Sequence, residues 1–162
     1  MSDYKEIAQA INNYINCLKV LTENKILLNK KDFTGQLGEW LVETVFEGER
    51  APSGIQAGWD VKTKDKFIQV KSHAKAINNK ARFSAVDKDT LVKVDELIIV
   101  VFTHDYKLKE FYQVPWEIVV EKTKLRGQKT KRNEINWNDI LEYRKELNAL
   151  PNQEIINMFK IN

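Results

Sequence analysis

One cysteine, Cys17, is all the thiol chemistry this 162-residue chain contains. A lone thiol excludes a disulfide framework within the chain and excludes a structural zinc centre built on cysteines. Cys17 falls in a helical pattern and reads as a small buried hydrophobe. Long apolar runs are missing too. No stretch approaches a secretory h-region or a membrane span, and the opening Met1-Ser2-Asp3-Tyr4-Lys5-Glu6 is polar, so a cytoplasmic protein with no membrane partner is expected. An excess of one charge is also lacking: 26 Lys plus Arg stand against 23 Asp plus Glu, a net charge of +3. The total therefore does not announce a polyanionic partner, and what matters is where the positive residues gather. There is no P-loop, dinucleotide fingerprint, zinc-ligand spacing or G-x-S-x-G elbow, and no internal repeat or low-complexity linker.

What is present suits one α/β domain spanning 1–162: 43% hydrophobic residues for a core and 30% charged residues for a hydrated surface. Residues 3–28 read as a helix with Asp3 as N-cap, and Ile7, Ile11, Tyr14, Ile15, Leu18 and Leu21 form one apolar stripe, which serves either the core or a homodimer seam. A second helix is predicted over 34–46, with Glu39 and Glu43 on one side of it. The Gly- and Pro-containing stretch 48–58 reads as a loop. Strands follow at 59–63 and 66–72, joined by a tight turn at Lys64-Asp65. Residues 74–92 read as a loop or short helix. The continuous apolar run 97–102 reads as a central strand covered on both faces. A turn at His104-Asp105-Tyr106 leads to a strand at 109–114, stopped by Pro115, and a short helix at 116–121. The stretch 122–132 reads as a basic loop and 138–148 as a last helix. On this reading 1–30 is the possible dimer element, 33–118 the core, and 119–162 the basic loop with a C-terminal helix. Trp40, Trp59, Trp116 and Trp137 have apolar neighbours and are assigned to core packing.

The chemistry centres on Gly58-Trp59-Asp60-Val61 and Phe67-Ile68-Gln69-Val70-Lys71. Alternate residues of a strand share a face, so Gln69 and Lys71 project together while Ile68 and Val70 turn to the core. A hairpin brings Asp60 beside Gln69. A hard divalent cation wants oxygen ligands, which the Asp60 carboxylate, the Gln69 amide oxygen and the Val70 main-chain carbonyl would supply. Such an ion polarises a phosphate and activates water, and the Lys71 ammonium would neutralise charge building on the transition state.

With these residues the sequence resembles the PD-(D/E)XK superfamily, which holds many restriction endonucleases and the Mrr-like group. The resemblance covers about residues 33–118. It implies an α-β-β-β-α-β core with a mixed central sheet, Asp60 as the metal-binding acid, Gln69 in the position of the usual Glu (Gln in Mrr-like members) and Lys71 as the lysine. It also implies that Glu39, in Gly38-Glu39-Trp40-Leu41, is the counterpart of the glutamate on the preceding helix. The implied activity is Mg2+-dependent endonucleolytic cleavage of DNA, with Mn2+ as an alternative ion, in restriction, defence or repair. Gln69 carries one negative charge fewer than the commoner acid, so a catalytically inactive relative that binds DNA or a protein partner is the alternative.

Substrate contacts are predicted around this centre. His73 shares the Gln69 and Lys71 face, Lys75 extends a positive rim, and Ser53 precedes Asp60 in the loop. Lys122, Lys124, Arg126, Lys129, Lys131 and Arg132 make a stretch of six basic residues with no acid, suited to the phosphates of double-stranded DNA.

Overall fold

The computed structural model describes residues 4–29, 32–52 and 58–160. It is a mixed α/β structure built on a five-stranded sheet, whose strands are β1 (Glu49–Arg50), β2 (Val61–Lys62), β3 (Phe67–Ala74), β5 (Glu96–Phe102) and β6 (Leu108–Pro115), in the order β1-β2-β3-β5-β6. The pair β3 and β5 is parallel and the other pairs are antiparallel. Every residue of β5 is buried, as its apolar run demands. Ile98, Val100 and Phe102 face one cluster with Leu37, Leu41 and Val42, while Leu97, Ile99 and Val101 face another with Tyr112, Ile135 and Trp137.

The first cluster is covered by helix α2 (Phe33–Val45), whose Asp32 cap accepts a hydrogen bond from the Gly35 N–H at 2.9 Å. Gly38 lies where α2 crosses β3, and a Cβ there would overlap the Ser72 hydroxyl. The second cluster lies under a small sheet of β4 (Phe83–Ala85), β8 (Arg132–Asn136) and β7 (Lys124–Arg126), in the order β4-β8-β7, beside α3 (Trp116–Lys122). A short α4 (Gln153–Met158) closes the first cluster through Ile156. Among the described residues no helix is long and apolar enough to cross a membrane.

Six expectations are corrected. Helix α1 (Tyr4–Glu23) has no buried residue, so its stripe does not pack on the core, and Cys17 is exposed. The chain turns at Lys25, and Ile26 and Leu27 are the first side chains to reach the core. Glu49–Arg50 is a strand paired with β2 and not part of a loop. The crossover between the parallel strands β3 and β5 contains no helix, so the second helix of an α-β-β-β-α-β order is absent. Ser84 and Val86 are buried while Phe83 and Ala85 are exposed, an alternation that belongs to a strand. The basic stretch is a hairpin, β7 against β8. The helix expected over 138–148 is replaced by 3-10 structure at Trp137–Tyr143, broken by a kink at Ile140 (φ −132, ψ 23), and at Leu147–Ala149. Trp137, Ile140 and Tyr143 recur every third residue against the second cluster, and the Lys145 N–H donates to the Phe111 carbonyl, holding the chain extended against β6. Of the tryptophans, Trp137 is fully buried and Trp40, Trp59 and Trp116 are half-buried. Asp3 lies outside the described residues.

Candidate functional site

The hairpin expected between Asp60 and Lys71 forms. Val61 pairs with Ile68, Lys62 pairs with Phe67, and the Thr63 N–H donates to the Lys66 carbonyl at 2.9 Å around Lys64-Asp65. Because β2 is only two residues long, the edge of β3 has no strand beside it beyond Ile68. Asp60 occupies that gap. Its N–H donates to the Ile68 carbonyl and its carbonyl accepts from the Ala51 N–H, both at 2.8 Å. Its carboxylate Oδ2 accepts the Val70 N–H at 2.7 Å, substituting for the missing strand. Backbone groups alternate sides along a strand. The Phe67 carbonyl accepts from Asp95 on the β5 side and the Ile68 carbonyl from Asp60 on the β2 side. Val70 therefore turns its own carbonyl to the open edge that Asp60 occupies.

Gln69 is buried, and its Nε2 donates to the Gly58 carbonyl at 3.1 Å. Gly58 has φ +113, and a Cβ there would strike Val92, so this anchor needs glycine. With its nitrogen fixed, the Gln69 Oε1 is left buried without a partner. An orphaned acceptor of this kind costs about 1–3 kcal/mol. Lys71 follows on the same face of β3. From the other face, the tight approach of Gly38 to Ser72 brings the next residue of α2, Glu39, into the field of Asp60. Burial first, and the Asp60 charge second, push the Glu39 carboxyl up to about 7 against the pull of Arg50 and Lys71. Burial also raises Asp60, opposed by the Val70 N–H and by Lys71. Among the described residues neither carboxylate has an ion-pair partner within 4.0 Å.

Two half-buried carboxylates, of which Asp60 raises Glu39, an orphaned amide oxygen and a main-chain carbonyl fit a hard divalent cation. Glu39, Asp60, Gln69 and Val70 are the residues that would hold it. Among the described residues no group of three or more His, Cys, Asp and Glu gathers anywhere, so the centre offers two charges and otherwise neutral oxygens.

His73 continues the Lys71 face. The Trp137 Nε1–H donates to the Ser84 Oγ at 2.9 Å, and His73 Nε2 lies 2.8 Å from the same oxygen. The buried Ser84 hydroxyl thus links the indole of Trp137 to the imidazole of His73. Burial, followed by the charges of Lys75 and Lys71, pushes its pKa down to about 4. It lines a cleft of about 440 Å³ with Lys75, Phe83, Arg132 and Trp137, and no carboxylate among the described residues lines this space. The cleft joins β3 to the small sheet and its basic hairpin. There Lys124, Arg126, Lys129 and Lys131 are exposed, whereas Lys122 pairs with Glu121 at 2.9 Å and Arg132 with Glu134 at 2.5 Å. Ser53 lies outside the described residues.

Glu43 is tied to Arg50, whose Nε donates to its carboxylate at 2.7 Å; Arg50 also donates to the Ile26 carbonyl at 3.0 Å. This joins α2 to β1 and to the end of α1 and leaves Glu43 out of the centre. Three supporting residues escaped the sequence reading: Arg50, Gly58 and Ser84. Gly58 had a signal, since it sits in a Gly-containing loop directly before the motif, but Arg50 and Ser84 act through partners far away in sequence.

No family model matches this chain, and no curated protein matches it.

Proposed function

We propose that this protein is a metal-dependent deoxyribonuclease that hydrolyses phosphodiester bonds at the open edge of β3, acting on double-stranded DNA. One observation supports the reading above the others: Asp60 closes the edge of β3 where β2 ends, its charge acts on Glu39 together with that of Lys71, and the neighbouring Gln69 Oε1 is buried without a partner. Mg2+ or Mn2+ held by Asp60, Gln69, Glu39 and the Val70 carbonyl would polarise a phosphate and lower the pKa of water. Lys71 stabilises charge developing on the phosphate oxygens. The Val70 N–H fixes the Asp60 carboxylate, and the Gly58 carbonyl fixes the Gln69 amide, so neither group has to reorganise when substrate arrives. The acid-free cleft and the exposed lysines of the hairpin supply phosphate contacts that position a duplex without reading its sequence. A setting in restriction, defence or repair, inside the cytoplasm, goes with this activity.

A second reading is a DNA-binding protein that does not cut, favoured by the uncharged Gln69 and by the absence of a third acid among the described residues. Incubation with supercoiled plasmid separates the two. Nicking that requires Mg2+ or Mn2+ and disappears in Lys71→Ala supports hydrolysis. Salt-sensitive DNA binding with no nicking in either ion gives the second reading.

A further inference from the structure

No residue of helix α1 is fully buried, Leu18 and Leu21 near its C-terminal end are partly buried, and Ile7, Ile11, Tyr14 and Ile15 are 42%, 54%, 63% and 54% exposed. Six of its eight large apolar residues fall at 4, 7, 11, 14, 18 and 21, in alternating steps of three and four, with Ile15 flanking this row and Val20 outside it. That period of 3.5 is the a/d seam of a coiled coil, narrower than the stripe of a helix packed on a globular core. Tyr4, Ile11 and Leu18 take the a positions, and Ile7, Tyr14 and Leu21 take d. The flanking e and g positions are Ala8, Ala10, Ile15, Cys17 and Thr22, none of them charged. Lys5, Glu6, Lys19 and Glu23 lie on the outer side. At the C-terminal end Ile26 packs on the core, Leu27 is buried, and Arg50 donates to the carbonyls of Lys25 and Ile26. The helix is thus fixed to the body at one end, with the seam exposed from Tyr4 to Tyr14.

We propose that α1 pairs with α1 of a second copy of this chain in a two-stranded coiled coil. The seam complements itself, because apolar meets apolar and no flanking charge repels an identical helix. Two acids and two bases leave the helix with no basic face for an anionic membrane, and the uncharged seam offers nothing to a charged partner. At roughly 100 Å² per seam side chain, two copies bury on the order of 1,200 Å², the lower end of a specific interface. The pairing is therefore concentration-dependent. It stands independently of whether the site cuts DNA.

Sedimentation equilibrium on the full chain over about 1–100 µM tests it. The expected result is a dimer at the upper end that dissociates on dilution. Ile11→Glu and Leu18→Glu should each weaken it by about 100-fold or more, since a carboxylate enters the seam from both copies. Asn12→Glu, on the outer face, should leave it unchanged. Thermal unfolding of the body should be the same in Ile11→Glu as in the monomeric parent, because Ile11 is 54% exposed, and this shows that the variant is folded. A parent chain that is monomeric throughout, or a dimer that survives both seam substitutions, overturns the proposal, as does a monomer that instead binds anionic phospholipid vesicles.

Discussion

Asp60 performs two jobs that substitution can separate. Its Oδ2 closes the edge of β3 by accepting the Val70 N–H at 2.7 Å, and its negative charge helps to form the cation site. Asp60→Ala removes both. The Val70 N–H is left with no partner on a strand edge, which costs about 1–3 kcal/mol. In a chain of this size each kcal/mol lowers Tm by about 2–4 °C, so a fall of several degrees is expected. Asp60→Asn keeps an acceptor oxygen at the same place and removes only the charge. The carboxylate it replaces is buried, is raised by that burial and repels Glu39. Melting of Asp60→Asn in chelator should therefore match or slightly exceed the parent, within about 0.5 kcal/mol.

Cleavage should ignore this distinction. Both variants should lose about 10²–10³-fold in metal-dependent plasmid nicking, the usual cost of removing one electrostatic element of an active site. Parallel melts and nicking time courses check the two halves. If Asp60→Asn melts as low as Asp60→Ala, the charge itself is structural. If Asp60→Asn still nicks at close to the parental rate, Asp60 holds no essential ion and the assignment of the centre fails.

Gly38→Ala should destabilise by about 1–3 kcal/mol through overpacking against Ser72 and displace Glu39 with α2, so nicking should fall further than the melt alone explains. Glu110 is raised by burial, but hydrogen bonds from Arg82 and Tyr112 outweigh this and hold it at about 2. Its contribution is present above the ordinary carboxyl value near 4.5 and is lost as pH falls toward 2. Urea melts of Glu110→Gln should show a loss of about 2–3 kcal/mol at neutral pH and a shallower acid limb. Glu39 has the opposite sign. Its folded pKa of about 7 lies above the ordinary carboxyl value of 4.5, so the metal-free protein should lose stability as pH rises across that window, and Glu39→Gln should abolish that loss when both are melted in chelator from pH 5 to pH 8.

Much of the core was legible because period decides it. The run 97–102 could only be a strand covered on both faces, and the alternation at Gln69 and Lys71 assigned two polar residues to one face with apolar neighbours on the other. The same logic misread 137–148, where a three-residue period belongs to 3-10 turns, and 83–86, where an alternation only four residues long is too short to stand out. The stripe of α1 was legible as a stripe, but whether it faces a core or a partner depends on what the rest of the chain covers. The Arg82, Glu110 and Tyr112 cluster and the Ser84 hydroxyl between His73 and Trp137 had no signal, since each joins residues from separate strands.

Glutamine at 69, a departure when only the motif is considered, acquires a physical reason from its surroundings. Burial raises both the Glu39 and the Asp60 carboxyls, and the charge of Asp60 raises Glu39 further. A third acid at a 7% exposed position beside them would add repulsion that the free protein could offset only by taking up another proton. An amide keeps an oxygen for the centre without adding that charge, and it gains a donor, which binds the Gly58 carbonyl and so fixes where the oxygen sits. A carboxylate could not make that bond. Position and charge are thus exchanged: the centre forgoes some attraction for a cation and obtains an oxygen held in place by a loop that only glycine allows.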